Sequence, residues 1–442
     1  MPTLALLLRL AWRNVRKNWR HSIGSMLAIL MGFVALGFAE GFLSGIATKE
    51  ATKVAKRYAF GTILIERHGA YTSTAREDPY RYALSPDDQR FIEDFLTAHA
   101  SAVTAFTRKL LFRGTASTGK SSVLIEGSAQ DPRGVALVRQ DWAWNATAGR
   151  PLRDLSPNSV LLARTLGLAL DCTTPVGRVP IGSTGAPIAE ERPFTCRRQR
   201  VQISASTERG QVNVIEPEIG GLYEFGIPFL DAKVIELPLA LAQKLLDTKA
   251  VTMYAVLLAR PHEAAAFTAA LMDAARARHL DIEAQTWVQH PSFGDYYRRS
   301  IELLHIYRNL VLIVVIVIAG MSVFATLLRA VAERTREIGT LRSLGFLRRH
   351  IVILFALEAA VLAAVATLGG LAATLALRAL IEQSGITYSS GIYAEPVRMH
   401  IDFVPEAYAV AGLVLIGVAV LAALGPATRA ARLAIPEALA QN

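Results

Sequence analysis

Long apolar runs alternate with short charged ones along this chain, and four of the apolar runs are long enough to cross a bilayer. They are Ser22 to Leu43, Tyr307 to Leu328, Ile351 to Leu377 and Pro405 to Leu424. Each approaches or exceeds the roughly 20 apolar residues that a membrane core requires. Between the first and second runs lie about 250 residues of mixed pattern. GTILIER (61–67) has strand-like residues, and Ser85-Pro86-Asp87-Asp88 opens a helix that continues to about His99. Strand-like runs follow at 103–116 and 121–128, a short helix is expected at Leu161–Leu170, and a strand at Arg200–Ser206. From Val234 the order reads strand, helix (Leu239–Leu246), strand (Val251–Leu258), helix (Glu263–His279), strand (Ile282–Val288). That alternation favours sheets covered by helices on one face. Helical spacing from Pro291 to Asn309 runs into the second span without a breaker, which predicts a continuous stalk.

The expected class is therefore an α-helical membrane protein with four transmembrane helices and a large α+β extracytoplasmic domain between the first and second. By position, 1–21 is a cytoplasmic amphipathic helix, 22–44 the first span and 45–300 the extracytoplasmic domain, large enough for two subdomains. The stalk and second span take 301–328, a cytoplasmic segment 329–349, and the third span 350–380. An extracytoplasmic loop takes 381–404, the fourth span 405–425 and a cytoplasmic tail 426–442.

Composition agrees with this division. Of 442 residues, 52% are hydrophobic, and the mean hydropathy of +0.32 is too high for an ordinary soluble chain. The net charge of +10 is explained by where the basic residues sit, and nucleic acid is not needed as a partner. Arg9, Arg13, Arg16, Lys17 and Arg20 precede the first span. Six arginines (Arg329, Arg334, Arg336, Arg342, Arg348, Arg349) lie between the second and third, and the 381–404 loop has only Arg398. Basic residues in short segments face the cytoplasm. Both termini and 329–349 are thus expected inside, and 45–300 outside. The first span could pass for a secretory signal, but its longer apolar run and the three further spans favour an uncleaved helix.

In the 1–21 helix, Leu4, Leu7, Leu8, Ala11, Trp12 and Val15 share one side, and Trp12 and Trp19 suit a membrane interface. Glu40 lies near the outer end of the first span, where a carboxylate can reach water. Cys172 and Cys196 both fall in the outer segment, where an oxidising compartment permits a disulfide; two unpaired, small apolar residues are the other reading.

Two short stretches carry the candidate chemistry. Glu333 to Gly345, ERTREIGTLRSLG, puts Ile338, Leu341 and Leu344 on one narrow stripe, with Glu333, Arg334, Arg336 and Arg342 mostly off it. Gly345 is placed to close that helix in the left-handed conformation. Glu358, about two turns into the third span, needs a cytoplasmic-side arginine or a backbone group as partner. Gly369 and Gly370 in the same span allow close helix approach. The second stretch, GTASTGKS (114–121), fits the phosphate-loop pattern at every fixed position. Its continuation, SSVLIEGSA, is strand-like, so Thr118-Gly119-Lys120 reads as a hairpin turn and nucleotide binding is refused. The nine histidines are dispersed, with no pair at metal-ligand spacing, so catalytic, cofactor and metal residues are expected to be none.

ERTREIGTLRSLGFLRRHIVILFALEAAV (333–361) and GPATRAARLAIPEAL (425–439) closely resemble the permease of the MacB/FtsX/LolC-LolE group of ABC transporters. GRPLRDLSPNSVLLARTLGLAL and GGLYEFGIPFLDAKVIELPLALAQKLL resemble that group's extracytoplasmic domain. Cys172-Thr173-Thr174-Pro175 departs from it, standing where relatives commonly have a glycine-aspartate. The resemblance implies that Glu333, Arg334, Arg336, Glu337, Ile338, Gly339, Leu341, Leu344 and Gly345 form a coupling helix against a cytoplasmic ABC ATPase dimer. ATP and magnesium would belong to that separate chain, and none to this one. It further implies a second or homologous permease copy, a periplasmic adaptor or substrate lipoprotein, contact with membrane lipid, and a bacterial inner-membrane location. Lipoprotein or lipid extraction, or export of an amphipathic substrate, is the implied function. An FtsX-like activator of a periplasmic cell-wall hydrolase is the alternative.

Overall fold

The computed structural model describes residues 4–17, 19–71, 80–173, 180, 182, 186–226, 228–292, 294–388 and 397–432. Two compact units make up the chain: one is built on residues 49–299, the other on 1–48, 300–388 and the chain from 398 onward.

In the inserted domain, alternating apolar residues are consumed by one mixed sheet of eleven strands. Its strands are β1 (Ile63–Arg67), β2 (Val103–Ser117), β3 (Ser122–Gln130), β4 (Ala146–Gly149) and β5 (Ser159–Ala163), then β8 (Gln202–Ser206), β9 (Val212–Ile215), β10 (Glu218–Tyr223), β11 (Val234–Pro238), β12 (Met253–Leu258) and β13 (Ile282–Thr286). The main order is β13-β1-β12-β2-β3-β11-β5-β10-β4, with β8 and β9 extending from β2. These eleven strands thus run through the domain as a single sheet. Two short strands, β6 (Cys172–Thr173) and β7 (Thr195–Cys196), pair separately and carry the Cys172–Cys196 disulfide. Thr174 and Pro175, the other half of the departure from the family pattern, lie outside the described residues.

The helix expected from Ser85 opens with a capping box: the Ser85 Oγ accepts from Asp88 N, and the Asp88 carboxylate accepts from Ser85 N, starting α3 (Pro86–Ala98). α4 (Pro132–Arg139), α6 (Leu239–Leu246) and α7 (Ala264–Ala277) join α3 over the main core. Leu161–Leu170 is not one helix. Val160 to Ala163 form the buried strand β5, bonded to β10 and β11, and only Arg164–Ala169 coils as α5. A four-residue apolar run has no period by which to tell strand from helix. The one-face expectation also fails locally. Ile63 and Ile65 point into the main core, while Leu64 packs on the opposite face with Met253, Ala255 and Trp287.

Inside this domain, Lys109 is nearly fully buried, and its Nζ donates to Tyr58 O at 2.8 Å and lies 4.3 Å from the Phe60 ring centre. Burial, with the Arg139 guanidinium nearby, lowers its pKa from 10.5 to about 7, and Glu236 opposes this only partly. Arg139 itself is paired with Glu236 at 2.5 Å, and Asn145 donates to the second Glu236 oxygen.

The second unit is helical. α2 (Trp19–Thr52), α8 (Gly294–Glu333), α10 (Arg348–Ser384) and α11 (Pro405–Arg432) each contain a stretch long and apolar enough to cross a membrane. This is a multi-pass membrane protein. Its helices approach where side chains are small. A Cβ on Gly370 would lie 2.8 Å from Phe33 Cβ, and one on Gly32 would lie 2.6 Å from Val315 Cγ1. Ser25 Oγ donates to Ser322 O at 2.8 Å and lies 2.5 Å from Thr326 Oγ1, tying α2 to α8. Glu40 of α2 pairs with Arg308 of α8 at 3.2 Å.

Candidate functional site

The charged stretch between the second and third spans folds as a short helix, α9 (Thr335–Ser343), separated from α8 by the single residue Arg334. The break is slight. Arg334 N still donates to Ala330 O, and Ile338 N donates to Arg334 O. The Thr335 hydroxyl turns back to the last α8 carbonyls, Val331 O and Ala332 O. α9 is thus an elbow on the end of α8. Its other end closes as a Schellman motif: Gly345 N donates to Arg342 O, Phe346 N to Leu341 O, and Gly345 takes φ +93°.

At that elbow Arg334 collects the site. Its Nη1 lies 3.0 and 2.9 Å from the two Glu358 carboxylate oxygens, and its Nε donates to Glu337 at 2.9 Å. The guanidinium also stands 5.6 Å from the Phe355 ring centre. Glu358, 6% exposed, accepts a further bond from Asn14 Nδ2 at 2.5 Å. Three chain segments therefore meet on one carboxylate: α1 (Leu4–Lys17), the α8–α9 elbow and α10. Taking Arg334 away would strand the Glu358 carboxylate where water cannot replace it, at a cost of about 3–5 kcal/mol, whereas without Glu358 the arginine keeps Glu337.

The other expected residues divide. Ile338 is 3% exposed, Gly339 is buried and Leu341 half-buried, so the apolar stripe packs as its spacing requires. Leu344 lies on the same stripe but is 74% exposed, because the helix ends at Ser343 and the chain turns out at Gly345. Glu333, Arg336, Glu337 and Thr340 are exposed and make the side of α9 away from Ile338 polar. Glu358 has an arginine as partner. Asn14 was not foreseen, nor was Lys17, whose Nζ lies 3.8 Å from Glu337. Asn14 had a signal: it follows Leu7 and Ala11 at helical spacing, as a polar residue on the buried stripe of α1.

The phosphate-loop pattern at 114–121 lies in the β2–β3 hairpin, with Ser117 opposite Ser122 and Gly119 at φ +84°. No helix follows it, so the backbone cradle that phosphates need is not formed.

Residues 309–435 match the family described as FtsX-like permease C-terminal, a span covering most of α8 and all of α9, α10 and α11. Among solved structures, the extracellular domain of the noncanonic ABC-type transporter YknZ from Gram-positive bacteria is similar at 12% identity. It covers 51% of this chain and 100% of its own, with a TM-score of 0.33. The periplasmic region of MacB from Actinobacillus actinomycetemcomitans is similar at 13% identity, covering 55% of this chain and 92% of its own, with a TM-score of 0.33. No curated protein matches.

Proposed function

Because residues 309–435 match the FtsX-like permease C-terminal family, we propose that this chain is the permease of an ABC-type transporter in a bacterial inner membrane. A cytoplasmic ATPase dimer on a separate chain presses on the exposed face of α9. The reading takes 329–349 and both termini as cytoplasmic, supported by six arginines in that segment against one in 381–404. ATP and magnesium are then bound by the ATPase. A second permease, identical or homologous, completes the set of spans.

The observation that carries this reading is the buried Arg334–Glu358 pair. A push on α9 reaches Arg334 first, and the pair obliges α10 to follow, because separating the charges in a dry environment costs more than moving two helices together. α8 is continuous with the elbow and is one helix from Gly294 to Glu333. The proposed stroke therefore runs along it towards the inserted domain. An outer-leaflet lipid, a lipoprotein or another amphipathic molecule, with a periplasmic carrier or adaptor, fits a stroke of this kind, since no path through the membrane is required.

The test is purification of the tagged chain in mild detergent, with copurified proteins identified by mass spectrometry. Recovery of an ABC ATPase together with a lipoprotein carrier, an adaptor or a second permease supports the reading. Recovery of the ATPase with a cell-wall hydrolase replaces transport by activation of that hydrolase, and absence of any ATPase overturns the coupling role of α9.

A further inference from the structure

α1 has three faces, and among the described residues only one is packed inside the protein. Leu7 and Ala11 are buried against Leu354 of α10, and Asn14, next on the same face, bonds Glu358. Adjacent to that face, Leu4, Leu8 and Trp12 recur every fourth residue and are 68%, 49% and 55% exposed. Beyond them Arg9, Arg13 and Arg16 are exposed on the third face. The first acidic residue of the whole sequence is Glu40, so nothing on α1 or the first half of α2 offsets this charge.

We propose that the outward faces of α1 bind the anionic phospholipid surface of the leaflet into which α2 enters, and that this binding steadies α9. An apolar stripe that includes a tryptophan, flanked by arginines and placed just before a membrane span, matches the acyl–headgroup boundary in both polarity and sign. An acidic protein surface would satisfy the arginines and leave the neighbouring apolar stripe in water. Contact with lipid passes inward through α1 itself. Asn14 holds Glu358, Glu358 holds Arg334 at the elbow, and Lys17 stands beside Glu337 of α9. Leu341 and Phe346, at the end of α9, pack on the same small cluster as Leu7 and Ala11. Lipid composition thereby sets how firmly α9 is held. The consequence for transport rests on the proposed coupling role of α9, whereas the binding and the steadying do not.

The full-length chain is reconstituted in nanodiscs of phosphatidylcholine, alone or mixed with phosphatidylglycerol, with no ATPase present. Trp12 fluorescence is taken as the difference between wild type and Trp12→Phe. Phosphatidylglycerol brominated near the headgroup is expected to quench it several-fold more than equally brominated phosphatidylcholine. Deuterium uptake over 335–343 is expected to slow when phosphatidylglycerol is present. The combined Arg9→Gln, Arg13→Gln, Arg16→Gln variant is expected to lose both effects, and the corresponding triple lysine variant to keep them. Equal quenching by the two lipids, or selectivity that survives the glutamines, overturns the anionic surface. Selective quenching with unchanged exchange over 335–343 overturns the link to α9. The wild-type lipid comparison does not depend on the folding of any triple variant.

Discussion

Arg334, at the one-residue break between α8 and α9, reaches Glu358 inside α10 and touches both of its carboxylate oxygens at about 3 Å. An arginine at the hinge and a glutamate inside a span thus fix the position of the exposed α9 face. Arg334→Ala is expected to cost about 3–5 kcal/mol, because the buried Glu358 carboxylate is left without its cation, and Glu358→Ala should cost less, because Arg334 keeps Glu337. The double variant Arg334→Met, Glu358→Met should lose less than the sum of the single variants. Denaturation of the full-length chain in detergent, run as a double-mutant cycle, measures this, and additive losses would remove the pair from the account.

Glu337 belongs to the same cluster but is half exposed, bonded to Arg334 through its Oε2. Glu337→Lys places a cation beside Arg334 and reverses the sign of the exposed face. With the copurified ATPase present, hydrolysis should continue while transport falls about tenfold or more, as expected when a single interface charge is reversed. Equal retention of both activities would show that this face does not meet the ATPase.

Gly345 holds φ +93° and a Cβ added there would meet nothing within 4 Å, so the conformation rather than space demands glycine. Gly345→Ala should lower stability by about 1–2 kcal/mol, and Gly345→Asn by less, since asparagine tolerates the left-handed region. Thermal unfolding of the two variants side by side checks the order.

Gly370 is the opposite case, a glycine required by space. Its missing Cβ leaves room for Phe33, which would otherwise be met at 2.8 Å. Gly370→Ala is expected to cost about 1–3 kcal/mol through overpacking. Phe33→Leu in the same chain should recover part of that loss, and failure to recover any would place the strain elsewhere.

Lys109 gives the inserted domain a pH dependence. Its pKa is about 7 in the folded chain against an ordinary 10.5. Between those values the unfolded chain binds the additional proton, so stability rises with pH by up to about 1.4 kcal/mol per unit from pH 7 upward and is flat below. Lys109→Met should remove the rise. Hydrogen exchange of β2 and β12 between about pH 7 and 9, corrected for intrinsic rates, compares the two chains, and an unchanged slope would show that Lys109 is charged in the fold.

Much of this architecture was legible because membrane spans, caps and turns are written locally. Twenty apolar residues, Ser85 followed by Pro86 and Asp88, and Gly345 after Leu344 each state their conformation within a few positions. The hairpin at Thr118-Gly119-Lys120 was legible for the same reason, and it outweighed a motif match that lacked its helix. Val160 to Ala163 were not legible, since their strand exists only because β10 and β11 supply hydrogen bonds from distant sequence. The same holds for the end of α9, where Leu344 obeys the stripe but lies past the point at which the chain turns away.

By itself the sequence determined that four helices span a membrane, that a large mixed domain is inserted after the first, and that a charged helix joins the second and third. Each follows from hydropathy and backbone preference over neighbouring residues. Only the tertiary structure decided which arginine neutralises Glu358, that Asn14 from the far end of the chain shares it, and that both cysteines meet. Six arginines lie within 329–349, and nothing in their spacing singles out Arg334. The choice is made by the cost of an unpaired buried charge, which is settled when the helices pack and the pocket around that carboxylate closes.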